Sequence, residues 1–282
     1  MRTYVFYHDG CLDGFGAAWA ARQDLGDGIR YVPHHPSQPF PDDLRPGSRV
    51  FILDLGLPRQ RLMELVERHS EVRVVDHHAT WESELADLPF VTFDRGHSAA
   101  VLAWRLFHPD RSVPILLRHV EDSDLGRFDM EGTRAVTAAL SSYPMEFDLW
   151  DRLEVDELRK EGEAIQRYRE KLAARTAGNA RLAEVAGYEV PVVNATSDVS
   201  LVCNRLLEEY PDAPFAGAYR ETASGHRRWS LRSRGEVDVA RIAEERRGGG
   251  HPAASGFLER LPPGSAPGTA TDDSDSDEEE KE

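Results

Sequence analysis

Residues 71–80 read EVRVVDHHAT. Val72, Val74 and Val75 form a β-branched run of strand character. Directly behind it stand Asp76, His77 and His78, three side chains able to ligate a divalent metal ion. Polar residues at a strand end usually mark the chain leaving the core. In an open parallel sheet, however, ligands bind beyond the carboxyl ends of the strands, so the surrounding sequence decides how this triplet is read.

Outward from it, the first half alternates strands and helices. TYVFYH (3–8) reads as a strand and GFGAAWAAR (14–22) as a helix of small residues that packs closely on a sheet. RVFILDL (49–55) is a continuous apolar run, the mark of a strand covered on both faces. PRQRLMELVERH (58–69) starts with proline at a plausible first helical position, with Leu62, Met63, Leu65 and Val66 at helical spacing. A strand at 90–94 and a helix at 98–107 continue the βαβ rhythm of a doubly wound parallel sheet. His34-His35, between prolines, reads as loop.

Residues 113–176 read as helical throughout, with a long charged helix from about residue 149 to 177, stopped by Gly178 and Asn179. The pattern then gives a strand at 188–195, a helix at 201–210, strands at 215–221 and 227–233, and a helix at 237–245. The expectation is an α/β protein: a doubly wound parallel-sheet domain over 1–145, a helical connector over 146–179, and a smaller α/β domain with a mixed sheet over 180–261. The remainder, 262–282, is rich in proline, glycine, serine and acids and reads as a disordered tail.

At 282 residues the chain is long enough for two cores, and 40% hydrophobic with 30% charged residues describes a globular protein. No apolar run approaches the ~20 residues of a membrane span. The start of the chain lacks the apolar core of a secretory signal, and two cysteines are too few for a disulfide framework. A cytoplasmic protein is therefore expected. The net charge is −16, of which the stretch DDSDSDEEEKE (272–282) contributes −7 and the body −9. Such a body is a poor grip for long duplex nucleic acid. It accepts a short anionic substrate if metal ions supply local positive charge. The acidic tail reads as a solubility segment, with nucleic-acid mimicry the sharper alternative.

The polar groups at the strand ends form four sets: His8 with Asp9, Cys11 and Asp13; Asp54; Asp76-His77-His78; and Glu121, Asp122 and Asp124 in VEDSDLGRF. Parallel neighbours bring the first three sets side by side, and the fourth closes over them. Carboxylates gathered this way repel one another unless a cation is present. Mixed carboxylate and imidazole donors suit Mn²⁺ or a related ion. Asp54, on a central strand, is placed to bridge two ions, an arrangement used to activate water against phosphorus. Farther on, GGGHPAASGF (248–257) puts three glycines, whose backbone N–H groups can approach an anion, before His251. Arg232 in SLRS (230–233) is suited to a bidentate phosphate contact. A flexible loop and an exposed strand arginine are the plainer readings of those two features.

As a set, the ordered motifs resemble the DHH phosphoesterase superfamily, and the last part resembles its associated substrate-binding domain with a GGGH motif. YHDGCLDGFGAAWAA (7–21) looks closest to the branch of oligoribonuclease and cyclic-nucleotide phosphodiesterase-like hydrolases. The resemblance implies a metal-dependent phosphoesterase acting on short oligonucleotides, pAp or cyclic nucleotides, with two Mn²⁺ ions, Mg²⁺ or Co²⁺ being substitutes. It implies that His8 and Asp54 hold one ion, and that Asp13, Asp54, His77 and Asp122 or Asp124, with Asp122 favoured, hold the other. Asp76 would orient a neighbouring ligand, His78 would face the scissile phosphate, and Arg232, Gly249, Gly250 and His251 would bind substrate. Where the family has the first carboxylate of an Asp-x-Asp pair this chain has Cys11-Leu12-Asp13, so either Cys11 or Asp9 completes the first site, or the first ion binds more weakly. A pyrophosphatase or exopolyphosphatase, and a non-catalytic nucleotide sensor with a degenerate centre, are the alternatives. A homodimer is compatible with this reading, and no membrane partner is expected.

Overall fold

The computed structural model describes residues 2–36 and 38–261. The chain forms two compact units, one up to Leu172 and one from Ala173. The expected disordered tail, 262–282, lies outside the described residues.

The first unit contains β1 (Thr3–His8), α1 (Leu12–Leu25), β2 (Arg30–His34), β3 (Arg49–Leu53), α2 (Arg59–Arg68), β4 (Glu71–Asp76), α3 (Glu82–Leu85), β5 (Val91–Phe93), α4 (Ala99–Phe107), α5 (Ile115–Asp124), α6 (Thr133–Leu140) and α7 (Phe147–Trp150). The helix α8 (Val155–Ala177) runs from this unit into the second. Its five strands are all parallel, in the order β2-β1-β3-β4-β5. Alternation along each strand decides which helix covers which face. Val5, Tyr7, Phe51, Leu53 and Val75 join Phe15 and Trp19 of α1 and the apolar side of α4 in one core. Tyr4, Phe6, Val50, Ile52, Val72 and Val74 join Leu62 and Leu65 of α2 in the other. Met63 and Val66 of α2 stay exposed. The sheet is thus covered on both faces, as the unbroken apolar strands require.

Two expectations need correcting. The Pro-flanked His34 is the last residue of β2, not a loop residue. Proline is tolerated there because β2 is an edge strand, and His34 is buried against Phe6 and Phe40. Residues 113–176 are not continuously helical. The chain breaks after α5, where Gly126 and Gly132 take positive φ, and the long helix begins only at Val155. Asp122 stabilises the first break. Its carboxylate accepts from the backbone N–H groups of Asp129 (2.9 Å) and Met130 (3.0 Å) and from Thr133 Oγ1 (2.6 Å). Burial alone would raise the pKa of Asp122, but these three bonds outweigh it and hold the group below the usual carboxylate range.

The second unit carries a six-stranded mixed sheet, β10-β11-β9-β8-β7-β6. Its elements are β6 (Arg181–Val185), β7 (Tyr188–Asn194), α9 (Val199–Glu209), β8 (Phe215–Glu221), β9 (His226–Ser233), α10 (Val239–Glu244), β10 (Gly249–His251) and β11 (Ala254–Arg260). Only β7 and β8 pair in parallel. β6 was not foreseen, because RLAEV offers only one buried side chain. Ala216 and Ala218 face Val202, Cys203 and Leu206 of α9. Phe215, Leu231 and Phe257 face Val239 and Ile242 of α10. The glycine run is an edge strand. A Cβ on Gly250, whose φ is +140°, would stand 2.5 Å from the Ala254 carbonyl oxygen.

In the first unit one glycine positions chemistry. α1 lies so close to the end of β1 that a Cβ on Gly14 would meet the His8 carbonyl oxygen at 2.5 Å. Since backbone must move, Gly14→Ala is expected to lose about 1–3 kcal/mol of stability, the usual cost of overpacking. Asp122→Ala is expected to cost about 1–3 kcal/mol by leaving its donors unsatisfied. Urea unfolding of both variants measures these losses.

Candidate metal centre

The strand order creates one special place. From β1 the chain moves outward to β2, and from β3 it moves the opposite way to β4, so the crevice between the ends of β1 and β3 is the switch point where ligands bind in open α/β sheets. His8 ends β1 and Asp54 follows β3 at that point. The Asp54 N–H makes a last rung to the Val75 carbonyl at 2.8 Å, and its backbone then turns left-handed, with φ of 60°. Aspartate is among the few non-glycine residues that tolerate this region. Asp76 ends the neighbouring strand β4, so His77 and His78 emerge beside Asp54. Asp13 lies in the first turn of α1, and Asp124 is the last residue of α5.

These side chains meet. His77 Nε2 stands 3.6 Å from Asp13 Oδ2, 3.5 Å from Asp54 Oδ1 and 3.5 Å from Asp124 Oδ2. His8 Nδ1 is 3.2 Å from Asp54 Oδ2, and His78 Nδ1 is 3.6 Å from Asp54 Oδ1. Three groups of donors lie within 4.8 Å of one another: His8, Cys11 and Asp54; Asp54, His77 and His78; and Asp13, His77 and Asp124. Asp76 carries the histidine pair. Its Oδ1 accepts from the N–H groups of His77 (2.7 Å) and His78 (3.1 Å) and sits 2.7 Å from His78 Nδ1. Asp13 is anchored by the start of α4, whose Ala99 and Ala100 N–H groups donate to it at 2.7 and 2.9 Å.

The electrostatics are those of a cation site. Burial, then Asp124 and Asp54, push the Asp13 carboxyl well above its ordinary range. Burial and Asp54 raise Asp124 to about 6. Burial and the same three carboxylates push the Cys11 thiol well up. Asp54 goes the other way: burial opposes its charge, but His77, His8 and His78 outweigh burial and hold it ionised. The Asp54 carboxylate is 2% exposed, and its Oδ1 accepts no hydrogen bond among the described residues. Packed anions, raised carboxyls and a buried oxygen without a donor fit divalent ions.

Of the residues expected from sequence, the structure brings together His8, Asp13, Asp54, Asp76, His77 and His78. It does not bring Asp122, which is occupied by the loop after α5 as described above. Asp124 takes the place instead. A signal for this was present: Asp124 continues the Leu117–Val120 stripe that faces the core, whereas Asp122, two residues back, points to a different side of the helix. Cys11, not the exposed Asp9, joins His8 and Asp54. Glu121 accepts from the Ser98 N–H at 3.1 Å, at the start of α4.

Within the second unit, Ala254 of β11 pairs with His251 of β10 on one side and with Arg232 of β9 on the other. Directly paired residues project to the same face, so an imidazole and a guanidinium flank a methyl group. That face is the one covered by α9, where Arg232 donates to Ser200 Oγ at 2.8 Å. Arg232 also donates to the Leu231 carbonyl at 2.8 Å and forms no ion pair among the described residues. Burial pulls its pKa down, the expected effect on a cation short of counter-charge. Gly249 and Gly250 belong to the adjoining edge strand.

No family model matches the chain. It is 27% identical to the uncharacterised protein R106 of Acanthamoeba polyphaga mimivirus, over 90% of this chain and 66% of that protein. The chain therefore spans somewhat under two thirds of the length of that relative. Among solved structures, it is similar to RecJ of Thermus thermophilus in complex with Mn²⁺, at 17% identity and a TM-score of 0.53, covering 91% of this chain and 49% of that one. The pGpG-specific phosphodiesterase PggH of Vibrio cholerae is similar at 13% identity and a TM-score of 0.51, covering 93% and 94%. By fold, therefore, this chain is similar to RecJ and PggH, with its Asp76-His77-His78 sequence leaving the end of the fourth strand.

Proposed function

We infer that the protein is a metal-dependent phosphoesterase hydrolysing short nucleotide phosphodiesters. One observation carries the reading: the Asp54 carboxylate, buried at the switch point, is shared by donor groups on both sides of it. His8, Cys11 and Asp54 would hold one divalent ion, and Asp13, Asp54, His77 and Asp124 a second. Bound there, such ions supply Lewis-acid charge and activation of water toward phosphorus.

The chain's own residues do the rest. Asp76 fixes the His78 ring through Nδ1. Burial disfavours the charged ring, yet Asp76 and Asp54 outweigh it and raise the His78 pKa to about 10. Positioned this way beside Asp54, the His78 ring would donate to phosphoryl oxygens as they gain negative charge. The α4 N–H groups hold Asp13 in place, so the donor set is built before any ligand arrives. Arg232, Ser200 and His251 give the second unit an anion-binding face, suited to a phosphate group. This combination supports short nucleotides over long duplexes, because the positive charge is confined to such places in an acidic chain. Mn²⁺ is the ion we favour for the carboxylate-rich group. The fold shared with a pGpG-specific phosphodiesterase supports this substrate class, and the fold shared with Mn²⁺-bound RecJ supports the choice of ion. A non-catalytic sensor is disfavoured, since Cys11 stands where a ligand had looked missing.

Purified protein supplied with Mn²⁺ is expected to hydrolyse a dinucleotide such as pGpG or the generic diester bis-p-nitrophenyl phosphate. Asp54→Asn preserves side-chain shape and tolerates the left-handed backbone, so it should fold yet lose at least about 100-fold in kcat. Full activity in that variant would defeat the reading. Arg232→Ala is expected to raise KM about 10-fold or more with a smaller change in kcat, as for loss of a charge-assisted phosphate contact.

A further inference from the structure

We propose that the two halves of the metal centre differ in kind: the His8–Cys11–Asp54 half takes a thiophilic ion such as Zn²⁺, and the Asp13–Asp54–His77–Asp124 half takes a hard ion such as Mn²⁺. The inference rests on the metal-dependent reading above and concerns which ions occupy it.

The donors divide by chemistry. One group offers a sulfur, an imidazole and a carboxylate, all within 4.8 Å of one another. Thiolate and imidazole donors favour Zn²⁺, whereas carboxylates favour Mn²⁺ and Mg²⁺. Three protein donors on a four-coordinate ion leave one place for a fourth ligand, the donor count of a catalytic zinc site. The other group offers an imidazole and carboxylates only. Asp54 belongs to both halves: its Oδ2 faces His8, while its buried Oδ1, without a hydrogen-bond donor among the described residues, lies toward His77. Cys11 is held in position by structure as well as by sequence. It is the residue preceding α1, its carbonyl accepts from the Phe15 N–H at 3.0 Å, and the close Gly14–His8 contact fixes it beside β1. On coordination the sulfur binds as thiolate and its proton leaves to solvent. The protein's second cysteine, Cys203, lies on the buried face of α9 in the other unit and belongs to a hydrophobic core.

The test is cobalt spectroscopy on the full chain, stripped of metal and titrated with Co²⁺. Wild type and Cys203→Ser are expected to develop a sulfur-to-cobalt charge-transfer band in the near ultraviolet. Cys11→Ser and Cys11→Asp are expected to lack it. Competition should give one wild-type equivalent that prefers Zn²⁺ to Mn²⁺. That preference should fall in Cys11→Asp by more than the roughly 10- to 100-fold that an outer-shell partner is worth, while the second equivalent is unchanged. Two equivalents of bound Co²⁺ with no band in wild type, or a band that survives in Cys11→Ser, would overturn the proposal. Failure to hydrolyse any diester while the band is present would defeat the phosphoesterase reading and leave the thiolate site standing.

Discussion

The constraint on which the first unit depends is the confinement of three carboxylates, Asp13, Asp54 and Asp124, around one imidazole, that of His77. Each loses solvation on burial and each repels the others, so the arrangement is unfavourable unless positive charge is brought to it. The fold meets part of this demand with its own groups. The start of α4 donates two N–H groups to Asp13, and His8, His77 and His78 surround Asp54. What remains is a raised Asp13, a raised Asp124 and an Asp54 oxygen that has no donor among the described residues, and these define a place for cations.

The parallel sheet explains why the groups meet where they do. Every strand runs the same way, so every carboxyl end lies on one edge, and the reversal of direction between β1 and β3 opens that edge into a crevice. The left-handed turn at Asp54 stops β3 immediately after its last pairing with β4. Such a backbone is sustained only where surrounding structure fixes it. Here the rung to Val75 and the closely packed α1 supply that support.

The second unit handles charge by a different means. A half-buried guanidinium is set against a serine and a backbone carbonyl, with no carboxylate pairing it among the described residues. The same face carries His251 across a single alanine. An acidic chain can therefore keep positive charge local, which reconciles a net charge of −16 with the anionic substrate proposed above.

The fold was largely legible in the sequence because its signals are short-range. Continuous apolar strands, helical spacing in α2, the small-residue run of α1 and polar residues directly after strand ends are all local signals. The same holds for Asp54, His77 and His78, whose position along a strand fixes where they emerge. Two kinds of feature were decided only in three dimensions. β2 and β6 depend on neighbours for their pairing, since an edge strand with a proline or with polar residues lacks a pattern of its own. The choices of Asp124 over Asp122 and of Cys11 over Asp9 depended on which side of a helix faces the crevice and what occupies each carboxylate. Sequence determined that metal-ligating residues gather at one sheet edge. Tertiary structure determined which of them come within reach of a common ion, because ligation is a matter of ångströms between residues distant along the chain.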